Sequence, residues 1–512
     1  MRPDIGVVTS IGTDHYSAFG SIDDIAREKG RLVRELPESG VAVLNADDPR
    51  VSAMRAGCRA RVISYGVSAG ADLRAVSVEA RWPDRLSFVL LHGESRVRVR
   101  TQLCGAQWVS AALAAAAVGV AMDVPLTDIA RALAGVAPYE ARMSPLVLPD
   151  GVTFIRDDWK ASLHTLPPAF EFLRTARAAR RVLVVGTISD YAGDASRHYS
   201  RTAKYALEVA DYVVFVGSRA ASALRARPAD EPERLRAFGT VKSAARFFSD
   251  FLMPGDLVLL KGSNPADHLC RLAIARASGV TCWREKCGRL RFCGNCELVN
   301  AAPKRERERA ADEPAAGEAA ATMAGYGGTV VVGLGNPGER YRGTPHNVGQ
   351  AVLARIAAEA GATWAEAPGA SAALVDWRGV RLCLVSPGTV VNRSGPTLHA
   401  LFAAAGIAPE QVILVFDDLD LPLAKVRMRM RGSDGGHRGV RSILEAFQTD
   451  RFQRIKIGVR RPGEPGQARE AVLRPFDKAE HVQVETAMAK ACDLLYRMAT
   501  TAAAGSSADV PA

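Results

Sequence analysis

Residues 332–349 read "VGLGNPGERYRGTPHNVG" and continue the apolar run "GTVVV", so a predicted strand runs directly into a glycine-rich turn. The turn carries the spacing G-x-G-x-x-G at Gly333, Gly335 and Gly338. In a dinucleotide-binding fold the helix opens at the third glycine, so that its N-terminus meets the pyrophosphate. Here "ERYRGTP" intervenes and the helical periodicity begins only near His346. The stretch therefore does not predict a dinucleotide site.

The same stretch places a histidine at the start of a helix, beyond the end of a strand. An imidazole titrates near neutral pH and can act as a base. The segment "VILVFDDLDLP" predicts a strand that runs into Asp417, Asp418 and Asp420, at the carboxyl end where α/β sites form. Asn392 follows another predicted strand, and its amide can hold a carbonyl or a water. The alternative is that His346 only caps a helix and that the aspartates only solvate a turn.

Four segments in this order resemble bacterial peptidyl-tRNA hydrolase: the glycine stretch, "PGTVVNRSG", "DDLDLP" with "GSDGGHRGVRSI", and "FQRIKIGVRRPG". The resemblance covers residues 329–500 and implies a single α/β domain that hydrolyses the ester joining peptide to tRNA, with no cofactor. It implies that His346 activates water and that Asp417 orients this imidazole and raises its basicity. It also implies that Asn336 and Asn392 position the peptide end.

The resemblance further implies a set of contacts to the substrate. Tyr341 would pack near the terminal nucleotide, and the remaining substrate or tRNA contacts would come from Val390, His437, Arg438 and Arg454. Three positions depart from the family pattern: Arg438 stands where the family has Asn, Pro345 where it has Arg, and Val390-Val391 where it has an aromatic residue and Met. A guanidinium at position 438 would favour a phosphate over a peptide carbonyl.

Positive charge is concentrated in this same part of the chain. The protein has a formal net charge of +11, and between Lys425 and Arg461 there are 11 Lys/Arg residues against 3 Asp/Glu. Such a run is either a solvated basic face or a surface for the phosphates of a nucleic acid. A tRNA partner would use the second of these.

The first 300 residues alternate strand and helix signals. Apolar runs such as "DIGVVTSI", "GVAVLNADDP", "RRVLVVGTISD", "DYVVFVGS" and "GDLVLLKGS" are separated by helical segments, which predicts parallel α/β sheets. "RPDIGVVTSIGTDHYSAFGSIDDIAREKG" with "GVAVLNADDPRV" resembles the central domain of the Mur ligase family, which joins amino acids to carboxylates using ATP. "APYEARM", "FIRDDWKASLHTLPPAFEFL" and "VLLKGSNPADH" resemble the C-terminal domain of that family.

The Mur ligase resemblance implies a magnesium and nucleotide site. By it, His15 would bind magnesium, Lys29 would carry a carbamate, and Arg142 and Asp157 would meet the nucleotide. However, no G-x-x-x-x-G-K-[ST] loop occurs in the 512 residues, so nothing in them cradles the β- and γ-phosphates. Three explanations stay open: a start placed too far downstream, a ligase split over two polypeptides, or a decayed ligase kept as a scaffold. Magnesium and ATP are expected only if a separate ATP-loop subunit or segment completes the module.

Four cysteines are clustered near the end of this half. Cys282, Cys287, Cys293 and Cys296 have the spacing C-x4-C-x5-C-x2-C. The terminal C-x2-C is a common half-site for tetrahedral zinc, so a structural zinc is one expectation and reduced free cysteines are the other. A catalytic metal is not expected, because four thiolates leave no open position.

The segments predict a multidomain chain without a membrane span, and we expect a cytoplasmic location. The leading hypothesis is a peptidyl-tRNA or N-blocked aminoacyl-tRNA hydrolase fused to an incomplete ligase module. The alternatives are a ligase subunit whose ATP loop lies elsewhere and a non-catalytic RNA-binding protein that retains the hydrolase fold. The predicted organisation is a truncated Mur central-like domain (1–137), a Mur C-terminal-like domain with the Cys cluster (138–300), a linker (301–327), the hydrolase-like domain (328–500) and a disordered tail (501–512).

Overall fold

The computed structural model shows three α/β units, each built on its own sheet. It describes residues 3–12, 21–191, 193–285, 292–300, 317–461 and 471–506. In those ranges no helix combines the length and apolar character that a membrane crossing requires. The predicted α/β class is confirmed, because each sheet contains parallel strands and packs against helices.

The first unit has a sheet that is parallel at one side and antiparallel at the other. Its strands are β1 (Ile5–Val8), β2 (Val41–Asn45), β3 (Arg61–Gly66), β4 (Leu73–Glu79), β5 (Ser87–His92) and β6 (Ser95–Arg100), and its helices are α1 (Ile22–Arg34), α2 (Pro49–Ser52), α3 (Val109–Ala121) and α4 (Leu126–Ala134). The strands lie in sequence order, with β1–β4 parallel and β4–β6 antiparallel. The hydroxyl of Ser21 accepts a hydrogen bond from the Asp24 N–H and so caps α1.

The second unit has the alternating strands and helices that its sequence predicts. Its strands are β7 (Ser144–Val147), β8 (Thr153–Asp157), β9 (Arg180–Val185), β10 (Tyr212–Val216), β11 (Leu235–Phe238) and β12 (Asp256–Lys261), and its helices are α5 (Leu166–Thr175), α6 (Ala195–Val209), α7 (Val241–Phe251), α8 (Asn264–Asp267) and α9 (Cys270–Ala277). The strand order is β11-β10-β9-β12-β8-β7, and only the β7–β8 pair is antiparallel. Strand β11 therefore forms one edge of this sheet.

The third unit has the largest sheet. Its strands are β13 (Val330–Gly333), β14 (Ala365–Ala367), β15 (Ala370–Trp377), β16 (Val380–Pro387), β17 (Val412–Pro422), β18 (Val426–Arg429) and β19 (Gln453–Arg460), and its helices are α10 (Glu318–Met323), α11 (Val348–Ala360), α12 (Ser394–Ala405), α13 (Arg438–Phe447) and α14 (Lys478–Ser506). The strand order is β14-β15-β16-β13-β17-β19-β18, with β16, β13, β17 and β19 parallel. Helices α11 and α14 cover one face, and α10, α12 and α13 cover the other.

Two glycines let α11 lie unusually close to the sheet. A Cβ on Gly333, at the end of β13, would stand 2.5 Å from the backbone oxygen of Gly349. A Cβ on Gly349 would stand 2.1 Å from the backbone oxygen of Val415 in β17. Neither position has room for a side chain, so these glycines serve helix–sheet packing. The close approach sets the start of α11, and with it His346, against the end of the sheet.

Two predicted boundaries differ from the structure. Helix α10 lies inside the segment 301–327, which was predicted as a linker that could hold a short helix, and its Ala319, Ala320 and Met323 are buried in the core of the third unit. Helix α14 continues to Ser506, six residues into the segment predicted as a disordered tail. Burial of the alanines and the methionine of α10 against the sheet stabilises this helix. A domain boundary placed by the pattern of charged residues does not take this burial into account.

Candidate active site

The site is built where the start of α11 meets the end of β17. His346 lies in the 3-10 turn Pro345–Asn347, directly before α11 and close to the helix start that the sequence predicts. Its Nδ1 lies 2.9 Å from Oδ1 of Asp417. Because Nδ1 is bound to the carboxylate, Nε2 is the ring nitrogen left to take a proton from a reacting group.

A second histidine shares the same carboxylate oxygen. His437 Nε2 lies 3.0 Å from Asp417 Oδ1. The Nδ1 of His437 accepts a hydrogen bond from the Val440 N–H at 3.1 Å, as the N-cap of α13. A nitrogen that accepts cannot carry a proton, so Nε2 is the protonated nitrogen and donates to Asp417. Helix α13 thus fixes the tautomer of His437.

Sequence reasoning assigned His437 to substrate binding and missed its contact with Asp417. The ligand atoms of His346, Asp417 and His437 lie within 4.8 Å of one another, which is close enough for a metal site. A metal there would have to displace both hydrogen bonds to Asp417. In the sequence, the two glycines before His437 in "DGGHRG" indicate a backbone turn that precedes a helix. This pattern could have identified His437 as the N-cap of α13.

The electrostatics of the site favour a basic imidazole. Burial lowers the pKa of His346, but the hydrogen bond and the negative charge of Asp417 outweigh it, so the pKa lies above its ordinary value. The positive charge of Arg438 acts in the opposite direction and lowers this pKa. Asp417 is buried, which raises its pKa, yet the two histidines hold that pKa well below its usual range. Asp417 therefore stays ionised and can stabilise an imidazolium.

The strand that carries Asp417 has the extent that its sequence predicts. Asp417 and Asp418 lie inside β17, which ends only at Pro422 after a register irregularity against β19. Asp418 accepts a hydrogen bond from Lys456 at 2.8 Å, while Asp420 is exposed. The prediction that this strand runs into the aspartates is thus confirmed. The irregularity between Asp418 and Pro422 lets the backbone continue past the site.

Asn336 ties two loops together. Its Oδ1 accepts a hydrogen bond from the Val391 N–H at 2.9 Å, so it fixes the loop that carries Asn392. Asn347 in turn accepts from the Asn336 N–H at 3.0 Å and donates to the Asn336 carbonyl at 2.9 Å. Asn347 was not among the predicted site residues. It follows His346 directly, and a polar residue at a helix start is the signal that could have identified it.

The other predicted contacts of the hydrolase domain lie on an open surface. Asn392, Val390 and Arg438 are exposed, and Tyr341 is half-buried with the guanidinium of Arg340 4.6 Å from its ring centre. A substrate could therefore reach these four side chains without any rearrangement.

Arg454 is the exception among these residues. Its side chain is buried and donates to the carbonyls of Ser433 at 2.7 Å and Asp450 at 3.4 Å. Direct phosphate binding by Arg454, as the sequence suggested, does not fit this arrangement. The sequence of β19 does not show that the side chain of Arg454 faces inward. Basic residues alternate along this strand, and the pattern alone does not distinguish a buried one from an exposed one.

The residues predicted for a ligase site lie in the first two units. Lys29 is exposed and donates to the Ser10 carbonyl at 3.0 Å, and Arg142 is half-buried. Asp157 is buried and accepts from Lys261 at 2.6 Å, so its charge is neutralised within the protein. His15 lies outside the described residues.

The described cysteines of the predicted zinc site are not gathered. Cys282, Cys293 and Cys296 do not form a three-ligand group in the part of the chain that the structure describes, and Cys287 lies outside it. Cys293 is buried instead, with His268 Nδ1 at 3.6 Å and Arg271 Nε at 3.2 Å from its Sγ. A hydrogen bond from Cys270, together with those from His268 and Arg271, lowers the pKa of Cys293 to about 4. A cation at this distance stabilises a thiolate without a metal.

The third unit has the fold and the His–Asp arrangement of an α/β enzyme that works by general-base catalysis. Residues 330–509 match the family described as peptidyl-tRNA hydrolase. A peptidyl-tRNA hydrolase of Persephonella marina is 39% identical over 155 residues, which are 30% of this chain and 82% of that protein. One from Listeria innocua is 37% identical over 173 residues, 34% of this chain and 94% of that protein. Through this domain the chain belongs to the peptidyl-tRNA hydrolase family.

The first two units match a different family. Residues 1–119 match the Mur ligase middle domain, and residues 141–264 match the Mur ligase glutamate ligase domain. The structure of UDP-N-acetylmuramoylalanyl-D-glutamyl-2,6-diaminopimelate--D-alanyl-D-alanyl ligase from Acinetobacter baumannii is 26% identical with a TM-score of 0.48, over 54% of this chain. This chain spans 58% of the length of that ligase. A peptidyl-tRNA hydrolase structure from the same organism is 28% identical with a TM-score of 0.31, over 35% of this chain and 93% of that one.

Proposed function

We propose that the third unit hydrolyses the ester bond of peptidyl-tRNA or of an N-blocked aminoacyl-tRNA. The observation that carries the proposal is the hydrogen bond of His346 Nδ1 to Asp417, which leaves Nε2 as the basic nitrogen. The similarity to proteins named peptidyl-tRNA hydrolase supports the same substrate class. A tRNA substrate implies action in the cytoplasm.

The reaction needs a base, a water and donors for the developing charge. Nε2 of His346 takes a proton from water, and the water oxygen forms a bond to the ester carbonyl carbon. The tetrahedral intermediate then expels the ribose oxygen, which receives the proton back from the imidazolium. Asp417 stabilises that imidazolium throughout, since its own pKa is strongly depressed. General-base catalysis of this kind contributes roughly 100- to 10,000-fold.

The asparagines have different parts in this mechanism. The exposed amide of Asn392 can donate to the carbonyl oxygen as negative charge develops on it. Asn336 uses its oxygen to hold Val391, so it acts chiefly by fixing the position of the neighbouring Asn392. No step requires a metal or a nucleophilic serine, because an ester is readily cleaved by an activated water. The hydrolase is proposed to need no cofactor.

The test is release of N-acetylated amino acid from charged tRNA by the full-length chain. His346→Ala removes the base, and turnover should fall by about 100-fold or more. His481→Ala is the matched control, because His481 is an exposed histidine of the same domain. Equal hydrolysis by His346→Ala and the parent would contradict the proposal. A parent that binds tRNA but never releases the acyl group would favour the non-catalytic RNA-binding alternative.

The ligase-like half supports a second, separate proposal. The match to the two Mur ligase domains supports an ATP-dependent amide-forming activity once an ATP loop is supplied by a segment beyond this sequence or by another chain. Lys29 and Arg142 are accessible in that half, while Asp157 is bound to Lys261. Magnesium and ATP would belong only to the completed module. Co-purification with a partner that carries G-x-x-x-x-G-K-[ST] would support another chain as the source of the ATP loop, and purification as a single species would count against that source.

A further inference from the structure

The second and third units meet through specific hydrogen bonds at α13. Gln448 follows α13, and its side-chain amide accepts from the Ala237 N–H and donates to the Ala237 carbonyl, both at 3.0 Å. Ala237 lies in the edge strand β11, so the amide acts as a short extension of that sheet. Glu445 of α13 accepts from the Gly239 N–H at 2.8 Å. These contacts fix the ligase-like half against the hydrolase domain.

Beside this junction, arginines from both units approach one carboxylate. The carboxylate of Asp450 is 1% exposed. Its oxygens lie 3.1 Å from Nη2 and 3.3 Å from Nε of Arg431, and 3.5 Å from Nε of Arg225. Arg225 belongs to the 3-10 helix Ala220–Ala226 of the second unit. Arg454, in β19, donates to the backbone carbonyl of the same Asp450.

The group has more positive than negative charge. Arg225 and Arg431 contact the single carboxylate of Asp450, Arg454 donates to its backbone carbonyl, and the nearby Asp434 is paired with Arg441 at 2.6 Å. Burial is the main reason that the pKa of Arg454 falls to about 10, and the charges of Arg225 and Arg431 lower it further.

The excess charge is accessible from solvent. The side chains of Arg225 and Arg431 are 34% and 41% exposed, so an anion can reach both. Arg454 is buried close enough to feel the charges of both, and its Nε has no hydrogen-bond partner in the described structure. Two exposed guanidinium groups with a buried third one nearby suit an anion with several oxygens.

The site also lies at a suitable distance from the candidate active site. In the register of β17 and β19, Ile457 is opposite Asp417 and Arg454 is opposite Leu414. Three residues along a strand correspond to roughly 10 Å. Arg454 therefore lies roughly 10 Å along the sheet from Asp417. Arg225 and Arg431 bind the carboxylate of Asp450, the residue whose backbone carbonyl accepts from Arg454.

We propose that a backbone phosphate of the RNA substrate binds between Arg225 and Arg431, so that the ligase-like half supplies part of the RNA-binding surface of the hydrolase. The proposal rests on the proposed function only for the identity of the RNA. It gives the fusion a physical role that does not depend on ligase activity. The occupant is a phosphodiester of RNA rather than free phosphate, because Arg454 of this group lies on β19, the strand that pairs with β17 beside Asp417.

The experiment compares the full-length chain with single variants by binding of uncharged tRNA at several salt concentrations. Arg225→Ala should weaken binding and reduce the slope of log Kd against log salt by about one unit, since one phosphate contact is lost. Arg225→Lys keeps the charge and should restore the slope. Arg96→Ala removes an exposed arginine of the first unit and should leave the slope unchanged. With acylated tRNA, Arg225→Ala should raise KM and leave kcat unchanged, as expected for uniform binding.

Several outcomes would overturn the inference. An unchanged salt slope in Arg225→Ala would do so while leaving the proposed hydrolysis intact. Loss of binding in Arg225→Lys as well as in Arg225→Ala would assign Arg225 to the packing of the junction. Protection of the site by inorganic phosphate with no change in tRNA binding would make it a small-anion site. Conversely, a reduced slope in a chain that hydrolyses no ester would support the RNA site and contradict the proposed function.

Discussion

His437 donates from Nε2 to Oδ1 of Asp417 across 3.0 Å, while its other ring nitrogen caps α13. One side chain thus links the end of the sheet to the start of a helix. Since the same Asp417 oxygen binds His346, the position of the carboxylate depends on both histidines. His437 therefore acts as a positioning residue, and its two nitrogens can be tested separately.

His437→Asn should separate capping from positioning. Asn is a good N-cap, so α13 should remain stable, whereas the shorter side chain cannot reach Asp417. We expect kcat to fall by about ten-fold with little change in melting temperature, from loss of a hydrogen bond to a charged group. His437→Ala should lose both the N-cap of α13 and the hydrogen bond to Asp417, and the loss of the cap should lower the free energy of unfolding by about 1 kcal/mol. Equal activity of His437→Asn and the parent would show that Asp417 needs only His346.

Asp417 should control the pH dependence of hydrolysis. The general base must be unprotonated, and the pKa of His346 is raised, so kcat/KM should rise with pH through an apparent pKa above 6.5 and then level off. Asp417→Asn removes the anion that raises this pKa. The apparent pKa should therefore fall, and the plateau rate should drop by about 100-fold with tRNA binding preserved.

Asp420→Asn is the control for that substitution, because Asp420 is exposed on the same strand. It should leave both the plateau rate and the midpoint of the pH profile unchanged. A profile that keeps its midpoint in Asp417→Asn would mean that the titrating group is not His346.

Local pattern in the sequence predicts that His346 and the aspartates of β17 lie at the edge where the site forms, and the resemblance to peptidyl-tRNA hydrolase selects Asp417 as the partner of His346. An apolar run followed by acidic residues, and a histidine before a helical period, place both groups at strand and helix ends. The burial of Arg454 and the binding of two histidines by Asp417 depend on tertiary packing, which local sequence pattern does not predict. The docking of Gln448 on Ala237 is of the same kind, since the two residues are distant in sequence and neither has an unusual local pattern.

The metal content of the chain tests the cysteine cluster. If Cys282, Cys287, Cys293 and Cys296 converge in solution, the full-length protein purified without chelator should contain about one zinc, and Cys296→Ser should lose it. The contacts of Cys293 with Arg271 and His268 lead to a different expectation, a buried thiolate without metal. Elemental analysis showing no zinc would favour the buried thiolate. The control is Cys383→Ser, a buried cysteine far from the cluster in sequence.

Arg438 should affect two properties of the site: the pKa of His346, and whether position 438 binds a phosphate or a peptide carbonyl of the substrate. Its charge lowers the pKa of His346, so Arg438→Asn should shift the midpoint of the pH–rate profile upward, and Arg438→Lys should not. An Asn also offers a neutral donor and acceptor to a peptide carbonyl, where a guanidinium offers only donors. Hydrolysis of peptidyl-tRNA on the high-pH plateau should therefore increase.

The same Arg438→Asn substitution should weaken tRNA binding and reduce its salt slope by about one unit, because an exposed cation is lost. Measuring the pH–rate profile and the salt slope on one preparation distinguishes two roles. A shifted profile with an unchanged slope would mean that Arg438 acts only on His346 and contacts no phosphate. A reduced slope with an unshifted profile would mean that its guanidinium is neutralised by tRNA during catalysis, so that its charge no longer reaches the imidazole when the ester is cleaved.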